Sequence, residues 1–200
     1  MIQLFRACVS DKKSLRQFGP TAPKYAEVIS VLTADIETQL TVPIRRRASG
    51  LVMPEDWCPI VESLSKNPKI SYCMKHWRDG LSWEESGAID FHMKAIQANG
   101  RIDHCRSRAD VEQRLYRLDK IWQLAERTQK LKQRREISPF SFREYGGILV
   151  HIDRQGLPLF GLAGQHRLAI ALTVGLTSFP AQLGVIHPNA LSSLNTYRFQ

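Results

Sequence analysis

Residues 160–176, FGLAGQHRLAIALTVGL, bring together more chemically capable groups than any other stretch of this chain. An extended segment ends at Phe160, Gly161 and Gly164 make a turn, and Gly164, Gln165, His166 and Arg167 open a helix of small and apolar residues. A helix start leaves N–H groups unpaired and carries partial positive charge, so it attracts anions. Gly164 leaves room for an anion to approach the backbone, and the Arg167 fork can hold two phosphate oxygens, with Gln165 and His166 as polar groups at the same spot. The succession of strand, glycine turn and helix start outlines a phosphate cradle. On spacing alone it also describes many plain strand-to-helix junctions.

Other capable residues fit weaker patterns. His151 and His187 flank extended segments and could join His166 at one end of a sheet, but metal ligation there would also need a carboxylate. Cys73 and His76 have the spacing of half a zinc site with no second half, and His104 and Cys105 are neighbours that do not face each other on a helix. No metal, zinc or iron–sulfur site is expected. Trp57, after Asp56, can stack on a base or fill a core.

The chain carries 28 basic and 19 acidic residues, a net charge of +9. Residues 1–100 hold 13 and 11 of these, residues 101–136 hold 11 and 6, and residues 137–200 hold 4 and 2, so the middle segment alone contributes +5. Lys130, Lys132, Arg134 and Arg135 cluster there, and Arg45, Arg46 and Arg47 form a second group. Such clusters can neutralise DNA phosphates or complement the dipole of a helix end. No aromatic residues interleave with them, as a single-strand platform requires. One alternative expectation is therefore a DNA-binding or nuclease-like protein using residues 127–135. Another is a non-enzymatic protein interaction module.

Two kinds of pattern must position these groups. Residues 1–23 show no clear period; residues 27–32 read as a strand, 35–40 as a helical turn or two ended by Pro43, and 41–57 as a connector. Pro59 suits a helix start ahead of Ile60, Val61 and Leu64, and Asn67-Pro68 opens a second helix carrying Ile70, Cys73, Met74 and Trp77. Ser82 and Glu85 fit a capping box before Trp83, Ile89, Met93 and Ile96, a run ended by Asn99-Gly100. Ser107 with Asp110 caps the clearest helix, in which Val111, Leu115, Leu118, Trp122 and Ala125 form a narrow apolar stripe. From Gly146 the pattern becomes extended: 148–152 and 157–160 form a hairpin, 165–174 a short helix and 179–186 a last strand. The fold class is α+β, a small mixed sheet with helices, with a helical insertion at 58–136 and a hairpin-helix-strand core at 137–188.

At 200 residues, with 43% hydrophobic and 24% charged side chains, the chain suits one compact domain. No run approaches the roughly 20 apolar residues of a membrane span, and charge breaks the opening before a signal-peptide core could form. Cys8, Cys58, Cys73 and Cys105 lack regular spacing and read as reduced thiols, so the expectation is a cytoplasmic protein with no membrane partner.

The segment GQHRLAIALTVGLTSFPAQL, residues 164–183, resembles the second motif of the ParB/sulfiredoxin-like superfamily. A wider similarity, to uncharacterised ParB-like domain proteins of bacteria and archaea, runs through Lys24-Tyr25, Asp56-Trp57, GLSWEE at 80–85, Leu118-Asp119 and Glu144 with GGILVHI. It covers most of residues 24–188 and implies a single ParB-like domain over 24–200. It implies a nucleotide or phosphorylated small molecule at Gly164, Gln165, His166 and Arg167, with Asp56 and Trp57 as further contacts. The implied cofactor is ATP or another nucleotide with Mg2+, and the implied activity an ATP-dependent phosphotransferase or hydrolase. Glu144 and His166 are the implied catalytic groups, with Asp56 as a second carboxylate; Glu144 could equally pair with Arg143. Gln165 stands where sulfiredoxin has its reactive cysteine, so sulfinic-acid repair is not implied. Of the Gly-Glu-Arg-Arg of partition proteins only Gly164 and Arg167 persist, so CTP clamping is not implied either, and Leu162 and Ala163 replace a more glycine-rich turn.

Overall fold

The computed structural model describes residues 2–198; Met1, Phe199 and Gln200, at the outer ends of the expected 1–23 and 24–200 segments, lie outside the described residues. The chain runs through α1 (Ile2–Phe18), β1 (Val28–Leu32), β2 (Thr38–Leu40), β3 (Val61–Ser63), α2 (Pro68–Trp77), α3 (Ala88–Asn99), α4 (Arg108–Thr128), α5 (Arg134–Ile137), β4 (Ile148–Ile152), β5 (Pro158–Phe160), α6 (Gln165–Val174), β6 (Ser178–Ile186) and α7 (Leu194–Tyr197). It divides into two compact units, one built from residues up to Leu64, Leu131–Gly164 and Thr177 onward, the other from Ser65–Lys130 and Gln165–Leu176. The protein is thus α+β, with all six strands in the first unit and α2, α3, α4 and α6 in the second. The expected division differs: α6, foreseen in the sheet core, packs with α2 and α4.

The sheet unit is one mixed sheet in the order β1-β6-β4-β5-β2-β3. β4 and β6 run parallel at its centre, and every residue of β4 is buried, as its branched apolar run requires. The early strand joins this sheet, Val28 opposite Gln182 and Leu32 opposite Ser178. The expected hairpin forms, with Asp153 Oδ1 accepting from the N–H groups of Gln155 and Leu157.

Three local expectations change. Residues 35–40 are not a helical turn; a 3-10 turn covers Thr33–Asp35 and β2 follows, because ladder pairing with Phe160 and with β3 gives that backbone partners a single turn could not. The helix expected from Pro59 is strand β3. The three apolar residues share no core face: Leu64 is buried, but Ile60 and Val61 stand 75% and 42% exposed. Residues 2–18 form α1, which buries only Ala7 and Ser14 and so carried no apolar stripe to read.

In the helical unit the caps fall where the sequence puts them. Asn67 Oδ1 accepts from the N–H groups of Lys69 and Ile70, with Pro68 at the first position of α2. Ser107 and Asp110 form the reciprocal capping box of α4, and Val111, Leu115, Leu118 and Ala125 are its buried stripe. Ser82 and Glu85 exchange their bonds too, yet α3 begins only after Gly87. Asp119 ties the aromatic side chains together, accepting from Trp77 Nε1 at 2.9 Å and from Trp83 Nε1 at 3.0 Å, with His76 Nε2 at 3.1 Å. On α6, Leu168, Ala169, Ile170 and Ala171 are buried and Trp122 donates to Thr173 at 3.0 Å.

Candidate functional site

Four helices and one turn of the helical unit converge on a polar cluster. On α2, Lys69 and Tyr72 are three residues apart and share a face. His92 comes from α3, Arg114 from α4 and His166 from the first turn of α6. Asp103 comes from the turn in which Ile102 and Cys105 pair their backbones; Asp103 and His104 both have positive φ, +50° and +68°. Such backbone is uncommon outside glycine and tolerated best by Asn, Asp and His. It presents Asp103 to Lys69 Nζ at 2.5 Å, while Arg114 Nη1 donates to the Asp103 carbonyl at 3.2 Å.

His166 is the centre of this cluster. Its Nε2 lies 2.6 Å from Tyr72 Oη and its Nδ1 3.5 Å from Arg114 Nη2. Burial, aided by the charges of Arg114 and Lys69, pushes its pKa down to about 3, so the ring is neutral near pH 7. Arginine only donates, which makes Nδ1 the acceptor and leaves the proton on Nε2 to face the tyrosine. Burial also drives the Tyr72 phenol far up, with Cys73 and Asp103 adding to it, so it stays protonated. For Asp103, burial works against the charged form, but contacts with His92 and Lys69 and the charges of Lys69 and Arg114 reverse that and hold the carboxyl well below its usual range. Two cations thus face one carboxylate and two histidines. His92 is fully buried, whereas the Asp103 and Arg114 side chains stay 23% and 32% exposed, so solvent reaches the cluster on their side.

The residues singled out from the sequence are placed as follows. His166 is buried at 7% exposure; Gln165 and Arg167 are half-buried, and all three belong to the helical unit. Gly164 closes a segment of the sheet unit with φ +89°, and a Cβ there would stand 2.7 Å from Ile148 Cα. Close packing on β4 therefore demands glycine independently of any anion. Glu144 is buried in the sheet unit, where its Oε2 accepts from Arg134 N at 2.8 Å; Arg143 is directed instead to Asp11 at 2.7 Å and the Tyr25 carbonyl at 2.6 Å. Asp56 is exposed, and Trp57 stacks on His187 at 6.4 Å. Those two line a cavity of about 560 Å3 in the sheet unit together with Asp35, Glu37 and Asp153, an acidic lining that opposes a nucleotide's phosphates. A cavity of about 570 Å3 in the same unit, walled by α1 and residues 47–52, is mostly apolar and gathers no such cluster. Of the basic segment, Lys130, Lys132 and Arg135 are exposed and Arg134 is half-buried.

Lys69, Tyr72, His92, Asp103 and Arg114 were not legible as site residues. One signal was present: His92 sits three residues after Ile89 on the buried face of α3, and a histidine in an apolar stripe needs a polar partner. The partner, Asp103, lies eleven residues on in a turn whose shape no local pattern announces. Comparison with family models, with curated proteins and with solved structures finds no match for this chain.

Proposed function

We propose that this protein binds a nucleotide or another phosphate-bearing small molecule in its helical unit, at the cluster around the first turn of α6, and acts on it as a phosphotransferase or hydrolase. The observation that carries this reading is the state of the Arg114 guanidinium. Its Nε is buried without a hydrogen bond, 3.9 Å from Asp103 Oδ2, and its Nη2 makes the 3.5 Å approach to His166. One edge of the fork thus has only long contacts, and a buried donor without a close acceptor is unfavourable. Two oxygens of a phosphate satisfy such an edge together. Lys69 neutralises Asp103, so the net charge of the cluster still favours an anion. The similarity of residues 164–183 to the ParB/sulfiredoxin-like motif supports the same location, with Gln165 and Arg167 as further contacts.

In this reading the Tyr72 hydroxyl, accepting from His166 Nε2 at 2.6 Å, is oriented to donate its own hydrogen bond to a bound oxygen. Arg114 and Lys69 position the phosphate and stabilise its charge, the main requirement of phosphoryl transfer. Glu144 is left to the backbone of the sheet unit. The test is thermal stabilisation of the protein by ATP, CTP, GTP, ADP and pyrophosphate, with and without Mg2+, repeated on Arg114→Gln and Arg167→Ala. A ligand at 100 times its Kd adds about 2.7 kcal/mol of stability. A nucleotide-selective shift lost in Arg114→Gln supports the site; a flat panel, or a shift that both variants keep, overturns it.

A further inference from the structure

We propose that His92, Asp103 and His166 form a binding site for one divalent transition-metal ion within the helical unit. Ala88 O can only accept, so the nitrogen of His92 that faces it at 2.8 Å, Nδ1, carries the proton. The other nitrogen of the ring, Nε2, is buried and has no hydrogen-bond partner. Asp103 Oδ2 lies 3.6 Å from it. A buried imidazole nitrogen and a carboxylate oxygen at this spacing are a pair that one divalent ion can bridge. His166 adds the third donor atom: one nitrogen of each ring and one Asp103 oxygen all lie within 4.8 Å of one another. Bonds of about 2.0–2.2 Å place ligand atoms roughly 3.3 Å apart, so small side-chain shifts close the set around an ion.

The surroundings match what metal-ligating histidines require. Ligating imidazoles are oriented by a bond from their other nitrogen, as Ala88 O holds His92 and Tyr72 holds His166. Two imidazoles and one carboxylate suit Zn2+, Mn2+, Fe2+ or Co2+ and do not suit Mg2+ or Ca2+, which take oxygen ligands. The ligands come from three distant segments, so no Cys/His spacing announces them. Two cations compete with the ion: Arg114 Nη2 lies 3.5 Å from His166 Nδ1, the nitrogen left to ligate, and Lys69 Nζ lies 2.5 Å from Asp103 Oδ2 and neutralises the carboxylate. Metal binding displaces that ammonium. The proposal deepens the phosphate reading, because an ion here adjoins Arg114, but the two stand or fall separately.

The experiment is titration of the chelator-treated full-length protein with Co2+ and Zn2+ in the absence of nucleotide, read by calorimetry and by the visible absorption of bound Co2+. One Co2+ per chain is expected, with the intense bands of a low-coordinate site. Asp103→Asn, checked for folding by circular dichroism, should weaken binding by about 30-fold or more. Lys69→Met should tighten it several-fold, a gain that misfolding cannot mimic. Absence of uptake overturns the proposal, as does uptake that Asp103→Asn leaves unchanged or that Lys69→Met weakens. A nucleotide shift in EDTA without Co2+ uptake removes the metal alone; Co2+ uptake with a flat nucleotide panel removes the phosphate reading alone.

Discussion

His151 in the sheet unit and His166 in the helical unit are both almost fully buried and both held neutral, with pKa values lowered to about 4 and about 3. Their surroundings differ in kind. His151 is walled by backbone: Gly161 and Gly184 lie so close that a Cβ on either would fall 2.5 Å from its Nε2 or 2.2 Å from its Nδ1. Its Nδ1 accepts from Val185 N at 2.8 Å, and burial alone accounts for its lowered pKa. His166 is surrounded by side chains that donate, accept and carry charge. A depressed histidine pKa therefore does not mark a working site. The neighbours differ: the imidazole boxed by glycines fills space, whereas the one between a phenol and a guanidinium lies among side chains that hydrogen-bond and carry charge.

The strongest test of this contrast is Gly184→Ala. The added methyl strikes the His151 ring, and the expected loss is about 3 kcal/mol of stability, measured by urea unfolding at pH 7. Recovery in the double variant with His151→Ala would tie that loss to the ring, and nucleotide affinity of the folded protein should not change. The converse experiment, Arg114→Gln, should weaken nucleotide binding by about 30-fold, close to 2 kcal/mol, while stability moves by less than about 1 kcal/mol. Equal effects of both variants on binding would erase the distinction.

Acid should act on both histidines in the same direction. Their folded pKa values lie below the unfolded value near 6.5, so on acidification the unfolded chain takes up protons first. Their contribution is complete above that value and is lost as pH falls toward 4 and 3, at about 1.4 kcal/mol per pH unit for each ring. Unfolding at pH 7, 6 and 5 should show about half this slope in the first interval and most of it in the second, and His151→Gln and His166→Gln should each remove one ring's share. The smallest effect expected is that of Tyr72→Phe, which removes the oxygen facing His166 Nε2. It should cost about 1 kcal/mol of stability. Turnover should fall far more than substrate affinity, and a phenylalanine variant with normal turnover would take the Tyr72 hydroxyl out of the site's hydrogen bonding.

Much of the local structure was legible because its causes are local. Asn67-Pro68, Ser107 with Asp110, and the stripe through Val111, Leu115 and Leu118 predict α2 and α4, since caps and periodicity act within a few residues. The branched run at 148–152 likewise reads directly as β4. Short elements escape local patterns where pairing partners decide the outcome. β2 and β3, three residues each, exist only because Gln39 and Leu40 find Glu62 and Val61 across the ladder.

The site divides along the same line. Consecutive residues alone show that a histidine and an arginine open a helix of small residues after a glycine turn; that Gly164 is required there follows from its packing on Ile148. It takes the folded chain to turn His166 inward to Tyr72, to bring Arg114 to it from α4, and to set His92 and Asp103 within reach. The reason is physical. Caps, turns and stripes are written in consecutive residues, but the groups at 69, 72, 92, 103, 114 and 166 are brought together by helix packing, which depends on the shape of every buried face.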